Sequence, residues 1–546
     1  MFLVATFIGL YSYFIFFLGI FGLLTKINVQ ILTIVFIILI ILYKRSVLYK
    51  YLNKIKSFQF NEIKKQKPVY LLLFLIILQA LVNLIGALGP ELAFDALWYH
   101  LTLPSLFLLH RSIYHIPGGL LYYSDMPKLV EMLYIGALSF GSEILPKLIH
   151  YFFGLLCALT LFAFSRKFFS KNIAALIVVI FYSNLVVDWE SITAYIDLVR
   201  TFFEFLSLWG IINWYESKKS TWLVVSGIMM GLAITTKVLA IGSYLLFIFL
   251  ILAIFITKQK SIKETFYGLV IFSSCALIVP LPWFIFSFFN TGNPVYPFFT
   301  KTYEISANSP NPLMLVSDLW NLFIHSADPI SPLYLIFLPL LVIFYTNLRK
   351  EMKIIVWYSG LSLILWYFTP RTGGGRFILP YLPAFSIICG AIYSEILKKT
   401  RTEWKYISKI LFCVIVLVAL ISIGYRGIAN KKYLPVILGQ ETKQSFLSNN
   451  LNYRFGDFYD TNDYFKTHIN SNDTVLLYGF HNLYYVDFPF IDSTWVKKGD
   501  TFNYIAVQKS KLLPKYRDWQ LVYSNDKTMV QLYKPPKGEC NVICRY

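Results

Sequence analysis

Three acid-bearing stretches and a small set of misplaced cations carry the chemistry that this sequence can do. The first stretch is ELAFDALWYHLTLP (91–104), with Asp95 and His100. The second is LYYSDMPKLVEMLY (121–134), with Asp125 and Glu131. The third is DWESITAYIDLVR (188–200), with Asp197 three residues before Arg200. The cations are Lys237, after two threonines, and Arg371 and Arg376, which flank three consecutive glycines. A carboxylate can take the proton of an acceptor hydroxyl. Fixed cations and the N–H groups of a glycine turn can hold a phosphate or pyrophosphate-like leaving group. Each residue also has a plainer reading. Asp95 can cap a surface helix, and Asp197 can pair with Arg200 across one helical turn. Any single cation can snorkel to a lipid headgroup.

The elements that position these groups are membrane helices. Of the 546 residues, 57% are hydrophobic, 18% aromatic and only 14% charged. Mean hydropathy is +0.60. A soluble chain carries nearly twice that charged fraction. Apolar blocks of about 20 residues, the length that spans a bilayer core, recur along the chain. Candidate helices are 3–24, 29–43, 68–88, 146–165, 172–187, 193–213, 222–236, 238–257, 265–288, 332–347, 353–369, 376–396 and 406–425, or about 13 spans. The first block lacks a basic start and a small-residue cleavage site, so it reads as a retained helix. The block 221–256 divides near Lys237, where a charge would otherwise sit in mid-membrane.

Basic loops fix one orientation. Residues 44–67 carry eight Lys and Arg against one acid, Glu62. With that loop cytoplasmic, every later basic loop (166–171, 217–220, 258–264, 349–353, 398–405) also falls inside. The loops 89–145, 188–192, 289–331 and 370–375 fall outside. Lys237, Arg371 and Arg376 then stand on the outer side, against the bias. The formal net charge of +20 is mostly this loop charge. It lacks the basic face with aromatic readers that nucleic-acid binding needs.

The chain therefore divides into an N-terminal helix pair with its basic loop (1–67), a transmembrane core (68–425) and an outer C-terminal unit (426–546). That unit predicts a small α/β domain. Residues 460–469 read as a helix, and 474–480 and 504–508 as strands. Residues 520–523 and 529–533 flank Ser524-Asn525-Asp526 as a hairpin. Cys540 and Cys544 are close enough in sequence to form a disulfide outside the cell. Residues 93–110 have the apolar spacing of an amphipathic helix lying along the membrane surface, with Asp95 at the mouth of the bundle.

Acids and cations on one outer border fit sugar transfer from a polyprenyl-phosphate donor. The donor's lipid tail explains the embedding, and nucleotide sugars are cytoplasmic.

The motifs FDALWYHLTLP (94–104), YSDMPKLVEMLY (123–134), TAYID (193–197), GLAITTK (231–237), PW (282–283), TGNPVYP (291–297) and RFILPYLP (376–383) occur in one order. That ordered set resembles the GT-C superfamily of glycosyltransferases, in the branch of protein O-mannosyltransferases and aminoarabinose transferases (families 39 and 83). The resemblance covers roughly residues 70–400. It implies an all-α polytopic bundle and Asp95 as catalytic carboxylate. It implies a second acid at Glu131 or Asp125. Asp197 is a further catalytic candidate from its place at the end of a membrane helix. Lys237 and Arg376 match positions near the donor phosphate, and Arg371 and His100 are grouped with them. Some relatives bind a divalent metal near the loop acids, so a metal stays open. The expected setting is the cytoplasmic membrane with the N-terminus inside. The acceptor is not specified by the resemblance. Two other readings are a lipid-linked saccharide flippase, which would place charges at the midplane of two related halves, and an O-antigen ligase-like enzyme, for which His100, His110 and His115 speak.

Overall fold

Long apolar blocks without internal caps become long helices, and the computed structural model shows them. It describes residues 1–56, 67–257, 261–301, 315–325, 329–369, 374–451, 458–536 and 544–545. Among these, six helices are both long and apolar enough to cross a bilayer: Phe2–Ile20, Pro68–Leu88, Ile144–Ser165, Ala240–Thr257, Leu379–Leu397 and Thr402–Ile437. A bent pair, Ile262–Ile278 with Leu281–Thr291, makes a seventh candidate span.

The remaining expected spans form helices of other kinds. Lys171–Tyr182 and Thr221–Thr236 are apolar but shorter. Asp197–Ser217 is long enough but carries Asp197, Arg200, Glu204 and Glu216. The block 332–347 breaks at Pro339 into short turns of different winding. The block 265–288 bends by 56°. Pro280 and Pro282 explain that bend, because each removes an N–H donor from the helical ladder.

The interior is built around Asp197–Ser217, whose Phe202, Phe203 and Leu206 are fully buried. It lies close against Thr221–Thr236 through small residues. Ser207 and Ser226 hydrogen-bond across the pair at 2.9 Å, as expected where packing and polar contacts drive association in lipid. The first helix is part of this bundle. Ser12 donates to the carbonyl of Leu129 at 2.9 Å, and Tyr13 donates to the carbonyl of Val279 at the bend. A Cβ on Gly19 would come within 2.5 Å of Ile113, so only glycine allows this approach.

The C-terminal unit contains a five-stranded mixed sheet in the spatial order Phe490–Asp492, Val475–Tyr478, Tyr504–Gln508, Val530–Lys534, Gln520–Asn525. The first three strands are parallel. The last three are antiparallel, with the expected hairpin closing the sheet. The predicted helix 460–469 is shorter, Tyr464–His468. A second helix, Lys443–Asn450, starts at Thr442, whose side chain accepts from the backbone of Ser445 at 3.1 Å. Cys540 lies outside the described residues, and so does the expected disulfide.

This unit sits on the loop 89–145. Tyr485 donates to the Glu91 carbonyl at 2.8 Å. Lys443 pairs with Glu143 at 2.7 Å. Gly118 has φ +90°, and a Cβ there would meet the Thr494 carbonyl at 1.9 Å.

Candidate active site

The stretch expected as one surface helix is two helical turns with a break. Ala96–His100 winds wider than an α-helix, and Thr102–His110 is α-helical. Ala96, Leu97, His100, Leu103 and Phe107 are buried, so this segment is an internal wall, not a surface float. The reason is that the helix Leu129–Leu138 and the turn Leu483–Tyr485 of the C-terminal unit both pack on it.

Two buried charges hold the approach to Asp95. Glu91 accepts from the backbone of Leu92 and Ala93 at 2.8 Å each and from Ala194 at 2.5 Å. Lys147, fully buried on Ile144–Ser165, donates to the carbonyls of Gly86, Gly89 and Pro90 at 2.9, 2.7 and 3.1 Å. The ends of helices leave carbonyls short of donors, and one ammonium reaches three, of which Gly86 also accepts from the Gly89 N–H. Neither Glu91 nor Lys147 was singled out from sequence. Both sit in apolar surroundings that gave no signal of role.

Asp95 follows directly. Its backbone N–H donates to the Tyr195 hydroxyl at 3.2 Å. Its Oδ2 accepts from Arg376 Nη1 at 2.6 Å. The same guanidinium uses Nε to reach Asp197 Oδ2 at 2.8 Å and lies 3.6 Å from Glu190. It stacks 4.2 Å from the centre of the Tyr195 ring. Lys237 then donates to Asp197 Oδ1 at 2.6 Å. Asp95, Arg376, Asp197 and Lys237 thus form one chain of ions from four separate sequence stretches. Asp197 does not pair with Arg200. Arg200 turns along its own helix to Glu204, at 2.5 Å, because Lys237 and Arg376 already fill both oxygens of Asp197.

Asp95, Arg376 and Lys237 line a cavity of about 360 Å³, together with His100, Lys128, Glu131 and the aromatic side chains Trp98, Tyr99, Tyr123, Phe298 and Phe377; Asp197 is outside the lining and pairs with two residues that belong to it. On its other side His100 Nδ1 meets Glu131 Oε1 at 2.8 Å, and Lys128 lies 3.9 Å from that oxygen. Lys128 was not expected to belong to the site, although it stands three residues before Glu131, at the start of the helix Leu129–Leu138. Burial pulls its ammonium below the usual lysine range, opposed by Glu131 and Asp125. Burial also works against the charge of Asp95, but Arg376 foremost outweighs it and holds the carboxyl below its ordinary range.

Asp125 is placed elsewhere. Its carboxylate is taken by His115 at 2.6 Å, Ser124 at 2.6 Å and Asn290 at 3.2 Å, which ties the loop to Leu281–Thr291. It does not line the cavity. Arg371 lies outside the described residues. Among the described residues, no three His, Cys, Asp or Glu side chains are arranged to hold a metal ion.

Free donors and acceptors remain in the wall. Among the described residues, Arg376 Nη2, Lys128 Nζ and Asp95 Oδ1 have no hydrogen-bond partner. The arrangement can grip an anionic group and accept a hydroxyl hydrogen side by side.

Comparison with known proteins supplies the fold. A family model described as dolichyl-phosphate-mannose-protein mannosyltransferase matches residues 136–286. The structure is similar to ArnT from Cupriavidus metallidurans bound to undecaprenyl phosphate. The TM-score is 0.56 at 12% identity, covering 85% of this chain and 98% of that one. The apo state of the same protein gives 0.55 at 12% identity, covering 84% and 97%. No curated protein matches by sequence. The chain has the GT-C fold: a helical membrane bundle with a small C-terminal sheet domain.

Proposed function

We propose that this chain is a glycosyltransferase that moves a sugar from a polyprenyl-phosphate donor to an acceptor hydroxyl at the outer border of the cytoplasmic membrane. The observation that carries this reading is the ion chain Asp95–Arg376–Asp197–Lys237, three of whose members, Asp95, Arg376 and Lys237, line one cavity. In lipid surroundings ionisable side chains are costly and mark functional paths. Here four of them converge, and three line the cavity.

The reaction needs one bond made and one broken. An acceptor oxygen attacks the sugar C1, and the C1–O bond to phosphate breaks with its electron pair going to phosphate. Negative charge therefore grows on the leaving group. Arg376 Nη2, Lys237 and Lys128 are fixed before the reaction, so their stabilisation costs no reorganisation. Asp95 Oδ1 accepts a hydrogen bond from sugar or acceptor and offsets the positive charge that develops at C1. Aromatic faces in the wall suit the apolar face of a sugar ring. The match to a structure solved with undecaprenyl phosphate supports a lipid-phosphate donor, and the basic loops support an N-terminus inside and a site outside.

The test uses full-length protein in nanodiscs. Labelled undecaprenyl-phosphate sugars are the donors, and a membrane extract of the expressing cells is the source of acceptor. Wild type should release undecaprenyl phosphate from at least one donor. Asp95→Asn should lose that activity while accumulating normally. Full activity in Asp95→Asn would remove Asp95 from the mechanism.

A further inference from the structure

Within the cavity wall, two polar atoms are buried with no hydrogen-bond partner among the described residues: His100 Nε2 and Glu131 Oε2. Both residues are almost wholly buried, at 1% and 2% exposure. A buried polar atom left unpaired is costly, and native proteins satisfy nearly all of them. When such atoms lie in a cavity wall, an entering ligand group is the natural partner. The ligand group must suit an imidazole nitrogen.

The tautomer follows from the contacts. Glu131 Oε1 accepts at 2.8 Å from Nδ1, so Nδ1 carries the hydrogen and Nε2 presents a lone pair. Asp95 is the poorer base, because Arg376 Nη1 at 2.6 Å stabilises its charged form. His100 has a base's surroundings: an unoccupied lone pair, and a carboxylate behind the ring to match the imidazolium once a proton arrives. This is the arrangement of base and orienting acid in which geometry defines the role.

We propose that His100 is the proton acceptor of the transfer, with Nε2 taking the acceptor hydroxyl's proton while Glu131 holds the ring through Nδ1. This rests on the glycosyl-transfer reading above and reassigns His100 from the phosphate-binding group. The hydroxyl's O–H bond breaks, its oxygen bonds to C1, and the phosphate leaves with the C1–O electron pair. The proton stays on Nε2 until it passes to the departing phosphate or to water. Asp95 is left as the fixed negative charge beside C1.

The charges facing His100 come from every packed element: Asp95 and Tyr99 on its own turn, Lys128 and Glu131 from the next motif, and Tyr195 and His150 from the bundle. Arg376 completes them from the loop Gly374–Phe377. Burial dominates, lowering His100 below the ordinary value of 6.5. The base is therefore neutral at pH 7, and activity should fall only as pH drops below that value.

The experiment compares wild type, His100→Ala, His100→Gln and Glu131→Gln in nanodiscs with the donor that wild type consumes. Binding of undecaprenyl phosphate is measured in parallel. Both His100 variants should lose about 10²- to 10⁴-fold in kcat, the range for a general base, with undecaprenyl phosphate affinity within about threefold of wild type. Added imidazole should restore part of the activity of His100→Ala, more so as imidazole deprotonates. Glu131→Gln should keep the acid limb but move it to lower pH, since the imidazolium loses its partner. An acid limb unchanged in His100→Gln, or activity within tenfold of wild type, would overturn the assignment. A loss of undecaprenyl phosphate binding matching the loss of rate would return His100 to the phosphate site. If wild type binds no undecaprenyl phosphate and consumes no donor, the glycosyl-transfer reading itself fails, and this assignment with it.

Discussion

Replacing Arg376 with lysine keeps the charge and removes the fork. In the structure one planar guanidinium serves two carboxylates at once, Asp95 through Nη1 at 2.6 Å and Asp197 through Nε at 2.8 Å. A lysine head is a single point and can hold only one of them closely. Asp197 keeps Lys237 in either case, so the variant lysine gives up its bond to Asp95 or shares it weakly. A hydrogen bond to a charged group is worth about 1.5–3 kcal/mol. At about 1.36 kcal/mol per tenfold, losing one predicts a fall in kcat/KM of roughly 10- to 160-fold. The assay is donor turnover in nanodiscs, with thermal stability followed by size exclusion so that folding is scored separately. Asp95→Asn in the Arg376→Lys background should add less than the two single effects together, because both act on one bond. Turnover by Arg376→Lys within threefold of wild type, or strictly additive effects, would refute the idea that this fork sets Asp95.

The other expectations follow from the same geometry. Asp125→Asn should weaken stability but leave turnover within about tenfold, since its carboxylate ties Asn290, Ser124 and His115 together outside the cavity; comparison of kcat and melting midpoint checks this. Lys147→Met should lower the folded yield sharply, by about 3–5 kcal/mol of stability, because Glu91 stays buried and three carbonyls lose their donor. Tyr485→Phe should increase protease access to the loop 89–145 by weakening the seat of the C-terminal unit on Glu91, read by limited proteolysis with activity measured beside it.

Much of the frame was legible in the sequence for simple reasons. Apolar length gives helices, and the polar residues after 523 marked a hairpin there, although Ser524 and Asn525 belong to the strand and the turn falls at 526–529. Lys237 and Arg376 stood out by defying the charge bias of the loops. Their meeting with Asp95 and Asp197 was not legible, because Asp95 and Arg376 are 281 positions apart. The partner of Asp197 was hidden for a related reason. Local spacing offered Arg200, but tertiary packing brought two stronger claimants, and Glu204 was one helical turn further on for Arg200. The broken wall at Leu101 was also hidden. Apolar periodicity alone does not show that a segment is covered on two sides. The bend at Val279 could have been read from Pro280 and Pro282, whose missing donors argue against a straight span.

The hydroxyl of Tyr13 at the Val279 carbonyl gives the first helix a duty that an anchor does not have. At the bend the Trp283 N–H turns to the Pro280 carbonyl instead of Val279, and this phenol supplies the hydrogen that the Val279 oxygen would otherwise lack. The bent arm beyond it ends near Asn290, which grips Asp125. A chain shortened by its first twenty or so residues would keep every charged group of the cavity, yet would lose the peg that sets the angle of that arm.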